Sequence, residues 1–210
     1  MTQLLHIETS VFGADGQSAQ LAERFLARWH RFHPETTVTR RDLAAEPIPH
    51  LDGTAFSGFI SAAAERTEAQ TVATERSDTL IAEVRAADVI VIGMPLYNFG
   101  VPSTFKSWID HIARAGETFR YTETGPEGLL TGKKVYVMAA RGGVYKDTPY
   151  DTQTPYIRNI LGLLGITDVT FVNAEGLAMG DDVKAAAISA AHARIDELSP
   201  VESQEGSAAA

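Results

Sequence analysis

The stretch 88-DVIVIGMPLYNFGVPSTFKSWIDHI-112 decides the fold of this chain. It opens with Val89-Ile90-Val91-Ile92, a β-branched apolar run closed by Gly93. That pattern reads as a strand buried on both faces, as in a parallel sheet covered by helices. It closes with Phe105, Trp108, Ile109 and Ile112, the i, i+3, i+4, i+7 stripe of an amphipathic helix. Between them Met94 to Ser103 reads as a loop with two prolines, two aromatics, a glycine and the amide of Asn98. Open α/β sheets bind ligands at the carboxyl ends of their central strands. A loop of this composition suits a planar heteroaromatic ring with polar edges.

Outward from that stretch the same rhythm repeats. Leu4 to Ile7 reads as a first strand and Thr9 to Gln17 as a loop. Ser18 is the expected N-cap of a helix with Leu21, Phe25, Trp29 and Phe32 inside. Thr36 to Arg40 is a second strand. Ala44 to Glu65, broken by Pro47, Pro49, Gly53 and Gly58, is an irregular excursion with room for one short helix. Thr67 to Ala87 is a helix carrying Leu80, Ile81 and Val84. The helix of the opening stretch is expected to run to Ala115, stopped by Gly116.

Thr118 to Gly132 reads as a hairpin around Gly125-Pro126. Val135 to Ala140 is a buried strand ending at Arg141-Gly142-Gly143. A helix with Ile157, Ile160, Leu161 and Leu164 ends at Gly165, and Val169 to Val172 is the last strand. Asp181 or Asp182 is expected to cap a final helix with Ile188, Ala191, Ile195 and Leu198 inside. Strands alternating with helices predict an α/β fold, a doubly wound five-stranded parallel sheet with helices on both faces and an inserted hairpin. By analogy with such folds the strand order is 2-1-3-4-5, with the ligand between strands one and three. Residues 1–198 read as one domain, and 199–210, rich in Ser, Glu, Gly and Ala, as a disordered tail.

A net charge of -9 argues against a nucleic-acid or anionic-membrane partner, both of which need a dense basic face. The chain has no cysteine, which excludes disulfides, thiolate catalysis and cysteine-held metals. MTQLLHIETS lacks the basic and apolar regions of a secretory signal, and no apolar run reaches the length of a membrane span. The cytoplasm is the expected location. The six histidines show no metal-binding spacing, so no metal site is expected. No G-x-S-x-G elbow is present.

Three loops at strand ends carry the candidate chemistry. The first, Thr9 to Ser18, places Ser10, Gly16, Gln17 and Ser18 before a helix N-terminus, where free N–H groups and the dipole attract phosphate. It has Gly13-x-x-Gly16 rather than G-x-G-x-x-G, and no Lys follows Gly16. A monophosphate therefore fits better than a dinucleotide or triphosphate. The second loop offers Leu96, Tyr97, Asn98 and Phe99. The third, Ala140-Arg141-Gly142-Gly143, permits close backbone approach to a flat ligand. Read singly, each is also explained as a cap, a core-plugging turn or a tight turn with Arg141 solvated. Three on one sheet edge weigh against that plainer reading.

MPLYNFGVPSTFKSWIDHIARAGETFRYTETGPEGLLTGKK (94–134) followed by AARGGVYKD (139–147) resembles the FMN-dependent NADH-azoreductases, a family of flavodoxin-like NAD(P)H:quinone oxidoreductases. The likeness extends from LLHIETS through DLAAEPIPHLDG to GITDVTFVNAEG. It implies one noncovalent FMN per subunit, its phosphate at Ser10 and Gly16-Gln17-Ser18. The ring and ribityl chain would lie against Leu96-Tyr97-Asn98-Phe99 and Ala140-Arg141-Gly142-Gly143. It also implies a homodimer, NADH as donor, and planar quinones and azo dyes as acceptors. The flavin would carry the hydride at N5, with no side chain as nucleophile. Phe119, Tyr121 and Phe59 are candidates to stack on the ring or the acceptor, Phe119 and Tyr121 being equally well read as a cross-strand pair on the core. Three departures stand out. Glu8 occupies a position where a basic or neutral residue is expected, Gly100-Val101-Pro102 is a variable part of the third-strand loop, and Thr54 to Gln70 matches poorly. The alternative reading is a flavodoxin-type FMN carrier passing single electrons to a protein partner.

Overall fold

The structure, a computed structural model, describes residues 1–198. The expected disordered tail lies outside the described residues. Five strands, β1 (Gln3–Glu8), β2 (Thr37–Asp42), β3 (Val89–Pro95), β6 (Lys134–Ala140) and β7 (Asp168–Ala174), form one parallel sheet in the order β2-β1-β3-β6-β7. The chain order 2-1-3-4-5 expected of the five core strands is therefore observed. Two further strands, β4 (Phe119–Thr122) and β5 (Gly125–Gly128), make the inserted antiparallel hairpin.

Among the described residues there are six α-helices, five of them packed on the sheet and α2 on α3: α1 (Gln17–Phe32), α2 (Gly53–Ile60), α3 (Glu68–Ala86), α4 (Ser103–Ile112), α5 (Gln153–Leu163) and α6 (Asp181–Leu198). The period-2 alternation of the strands divides the core in two. Leu5, Ile7, Ile90, Ile92, Val135 and Val137 point to one face, under Leu80, Ile81 and Val84 of α3, Phe105 and Trp108 of α4, and Ile157 and Leu161 of α5. Leu4, Val89, Val91, Tyr136, Met138 and Val172 point to the other, under Leu21, Phe25 and Trp29 of α1 and Ala191 and Ile195 of α6. Each fully buried side chain of this size contributes about 1.5–3 kcal/mol relative to exposure. That double cover explains why β3 and β6 are apolar at nearly every position.

The structure corrects several expected boundaries. Met94 and Pro95 belong to β3, because Pro95 ends the strand opposite Ala140, so the loop begins at Leu96. Gly16, not Ser18, is the N-cap of α1, and no side chain caps that helix. Phe32 is partly solvated, with the Arg28 guanidinium 5.3 Å from its ring centre. α4 ends at Ile112 rather than Ala115, because the Thr118 hydroxyl donates to the Ile112 carbonyl at 2.6 Å and accepts the Arg114 N–H at 3.0 Å. The hairpin turns at Glu123-Thr124, and Gly125-Pro126 already pair within β5. Asp181 and Asp182 lie inside the first turn of α6, where Gly180 accepts the Lys184 N–H.

Two of these details place the elements around the sheet edge. The short helix α2 forms in the excursion because Asp52 caps it, accepting the Ala55 N–H at 2.8 Å. The hairpin docks where Gly128 meets Gly165, since a Cβ on Gly128 would lie 1.9 Å from the Gly165 nitrogen. Only glycine allows backbones that close together.

Candidate functional site

β1, β3 and β6 are adjacent and end on the same edge, with Ile7 beside Ile92 and Pro95 beside Ala140. Direct contacts join the three loops that follow them. The Val11 N–H donates to the Tyr97 hydroxyl at 3.3 Å, and the Leu96 N–H donates to the Ala140 carbonyl at 3.0 Å. The Phe99 ring meets Tyr145 edge-on at 5.4 Å and lies 6.0 Å from Tyr150. The three candidate loops thus form one continuous rim.

In the first loop the Ser10 Oγ accepts the Phe12 N–H at 3.2 Å, and the Thr9 hydroxyl ties back to the Gly93 carbonyl at 2.6 Å. Ser10 Oγ sits so close to Gly16 that a Cβ there would lie 2.1 Å from it. Ser10 therefore lies against the start of α1, where the N–H groups of Gln17, Ser18 and Ala19 have no intrahelical acceptor. Ser18 is buried, and its Oγ has no hydrogen-bond partner among the described residues. Hydroxyls and free N–H groups at a helix N-terminus make a cradle for a dianionic oxygen cluster.

In the second loop Tyr97 and Gly100 bond reciprocally, at 3.2 and 2.9 Å, around Asn98 and Phe99. Both central residues have positive φ, 50° and 60°. That is the backbone of a type I′ turn, which Asn tolerates and Phe resists. A left-handed aromatic residue costs about 1–3 kcal/mol, and such strain gathers at ligand sites. Phe99 is half exposed. The turn is braced from α5 and the residue before it: the Thr152 hydroxyl donates to the Phe99 carbonyl, and the Gln153 amide to the Pro95 carbonyl at 2.9 Å. Gln153 was missed by sequence reasoning, because nothing in the pattern marks one glutamine at a helix start as a brace for a distant loop.

In the third loop the Gly142 and Gly143 carbonyls accept from Ala178 and Gly176, at 2.9 and 3.0 Å. Among the described residues their own N–H groups have no acceptor, so they are open to a ligand edge. Arg141 is not solvated, as the plain-turn reading required, but 1% exposed. Its guanidinium meets Glu175 at 3.1 Å, Asp151 at 3.2 Å and the Thr154 hydroxyl at 2.8 Å. Burial pushes the Asp151 carboxyl up, but bonds from Thr154 and Arg141 outweigh it and hold it below the usual carboxylate range. Arg141 anchors the loop from beneath, and Ala140 contributes its carbonyl to Leu96.

The stacking candidates sit differently from expectation. Phe119 and Tyr121 are neighbours on one strand, not a cross-strand pair, with rings 5.5 Å apart at 84°. Phe119 joins the core while Tyr121 is 76% exposed. Phe59 packs edge-on against His111 at 5.8 Å and beneath the Arg114 guanidinium at 4.9 Å, so it holds α2 in place. Among the described residues no helix is long and apolar enough to cross a membrane.

A parallel sheet of this order, with three loops gathered at the β1/β3 switch point, defines an open doubly wound α/β domain, a class that binds its ligands at that edge. The chain belongs to the flavodoxin-like fold family, whose model matches residues 2–198. It is 54% identical over 192 residues to an FMN-dependent NADH:quinone oxidoreductase of Alcanivorax borkumensis, covering 91% of this chain and 97% of that one. An azoreductase of Bacillus anthracis superposes with a TM-score of 0.88 at 31% identity, covering 95% of this chain and 99% of that one. A Bacillus anthracis FMN-dependent NADH-azoreductase in complex with FMN gives 0.85 at 29% identity, covering 95% and 100%.

Proposed function

We propose that this chain is an FMN-dependent NADH oxidoreductase that reduces quinones and azo compounds. The observation that carries the reading is the joined rim, in which Val11–Tyr97 and Leu96–Ala140 contacts merge a phosphate cradle with two ring-edge loops. The residues fit FMN: free N–H groups and Ser10 for the phosphate, and the open Gly142 and Gly143 N–H groups for a ring edge. Asn98, at the tip of its turn, is assigned to the pyrimidine edge of the ring. Leu96, Tyr97 and Phe99 supply apolar wall, and Gln17 and Ser18 supply backbone donors. When bound, FMN supplies the hydride-accepting ring position. The protein orients the ring, fixes donors at its edge and leaves Phe99, Tyr145 and Tyr150 as aromatic surface beside it.

The proposal includes one noncovalent FMN per subunit, NADH as donor, a single domain over 1–198, a homodimer, and a cytoplasmic location. Exposed Phe56, Ile60 and Tyr121 on the excursion and hairpin are apolar surface of the kind a second copy covers. No observation favours the one-electron carrier. Mixing the FMN-loaded protein with NADH in the absence of oxygen should bleach the flavin rapidly, and a p-quinone should restore its colour. A protein that binds FMN but is not bleached by NADH would move the reading to the carrier. One that ignores FMN would end both.

A further inference from the structure

Glu8 ends β1 as a buried carboxylate, 8% exposed. Its Oε1 accepts the N–H groups of Thr9 and Ser10, each at 2.9 Å. Gly93 on β3 leaves it room, since a Cβ there would lie 3.0 and 3.2 Å from the two carboxylate oxygens. On its other side Oε2 is 3.8 Å from Nε2 of His6, itself 3% exposed. Arg40 donates to His6 Nδ1 at 3.2 Å, so the imidazole proton sits on Nε2, facing Glu8.

Among the described residues no Lys or Arg hydrogen-bonds Glu8. The groups around it are neutral His6 on β1, Arg40, Arg41 and Asp42 on β2, Glu23 on α1, and the backbone of β3. Burial pushes its carboxyl above the ordinary range, the two backbone N–H groups pull it down, and Asp42 and Glu23 push it up again. A buried anion beside a phosphate cradle also repels the phosphate. Its presence needs a compensating role, and the hydrogen bonds identify one. With the Ser10 N–H fastened inward, the Ser10 side chain is turned against Gly16 and the Phe12 N–H.

We infer that Glu8 is a positioning residue for the phosphate end of the cofactor, ordering Thr9 to Gly16 so that the Ser10 hydroxyl joins the free N–H groups of α1. This rests on the FMN reading above. Riboflavin, which lacks the phosphate, separates positioning from general damage. The flavin-free wild type, Glu8→Ala, Glu8→Gln and Gly93→Ala proteins are titrated with FMN and with riboflavin by flavin fluorescence.

Glu8→Ala should weaken FMN about tenfold, the loss of roughly one charge-assisted hydrogen bond, and leave riboflavin within about twofold. Glu8→Gln keeps an acceptor oxygen and should recover most of the FMN affinity. Gly93→Ala should reproduce the selective loss with Glu8 present, and it decides the matter with Glu8→Gln if Glu8→Ala does not fold. Equal losses for both flavins, unchanged FMN binding, or a glutamine variant as weak as the alanine one would overturn the inference. A wild type that shows no preference for FMN over riboflavin removes the FMN reading itself, independently of the variants.

Discussion

The side-chain amide of Gln153, the first residue of α5, donates to the carbonyl of Pro95, the last residue of β3, with 2.9 Å between nitrogen and oxygen. The same nitrogen lies 3.4 Å from the Gly100 carbonyl, so one fully buried amide spans both ends of the strained Asn98-Phe99 turn. Its Oε1 has no partner among the described residues. Gln153→Met keeps the volume, removes that unsatisfied oxygen and deletes the brace. The expected stability loss of the flavin-free protein is therefore small, about 1 kcal/mol, because two opposing effects partly cancel. FMN affinity should fall more, about fivefold or beyond, because the positive-φ turn loses its hold. Thermal unfolding and flavin titration measure the two separately. A large stability loss with unchanged affinity would show that Gln153 serves the core alone.

Gly142 and Ser10 give a contrast between the proposed ring and phosphate contacts. A Cβ at Gly142 would meet only the Ala178 methyl, at an ordinary 3.5 Å, so the flavin-free protein accommodates a side chain there. Gly142→Val should leave thermal stability nearly unchanged yet lower FMN affinity more than Ser10→Ala does. The valine branches would occupy the ring's approach, whereas Ser10 would be one of several phosphate donors, each worth about 1–3 kcal/mol. If Ser10→Ala proves the more damaging change, the ring does not lie against the Gly142 loop.

The core strands and the three loops were legible in the sequence because both rest on local patterns, whereas the strand order came from analogy with doubly wound folds. Apolar runs such as Val89–Ile92 announce a sheet covered on both faces, and glycine and proline mark the chain reversals at its edge. The boundaries were less legible because side chains far away in sequence set them. Thr118 ends α4 by bonding Ile112, and Gln153 extends the ordered end of β3 through Pro95. Arg141 shows the same limit: a charged residue beside two glycines reads as solvated until Glu175, Asp151 and Thr154 are seen around it. Glu8 was visible as an unusual residue, but its meaning lies in the fold of the backbone over it.

His6 sets an acid limit on stability. Burial and Arg40 lower its imidazole from 6.5 to about 4 in the folded protein. Between those values the unfolded chain binds the proton and the folded one does not, so stability falls as pH drops from about 6.5 toward about 4. The full effect is on the order of 3 kcal/mol. Glu8 acts in the opposite sense, since its raised pKa lets the folded state take up a proton first as pH falls. Urea unfolding midpoints at about pH 7 and about pH 4.5 should therefore differ more in the wild type than in His6→Gln. Equal differences in the two proteins would assign the acid sensitivity elsewhere.

One slot beside the Asn98 and Gly142 loops is expected to serve donor and acceptor in turn. The first loop, with Gly13-x-x-Gly16 and no lysine after it, has room for a monophosphate and no separate dinucleotide fingerprint. The Phe99, Tyr145 and Tyr150 rings, set at angles to one another, offer aromatic contact to a nicotinamide or to a planar acceptor, but both need the same position beside the flavin ring. The oxidised nicotinamide must then leave before the acceptor enters. Initial rates at several fixed quinone concentrations should give parallel double-reciprocal lines, with quinone competing against NADH for the oxidised enzyme. An azo bond takes four electrons to reach two amines, and each NADH delivers two, so each dye molecule cleaved should consume two NADH. Flat acceptors should react and bulky nonplanar ones of similar potential should not, because only flat molecules stack within hydride range. Intersecting lines, or one NADH per cleaved dye, would place donor and acceptor in separate sites.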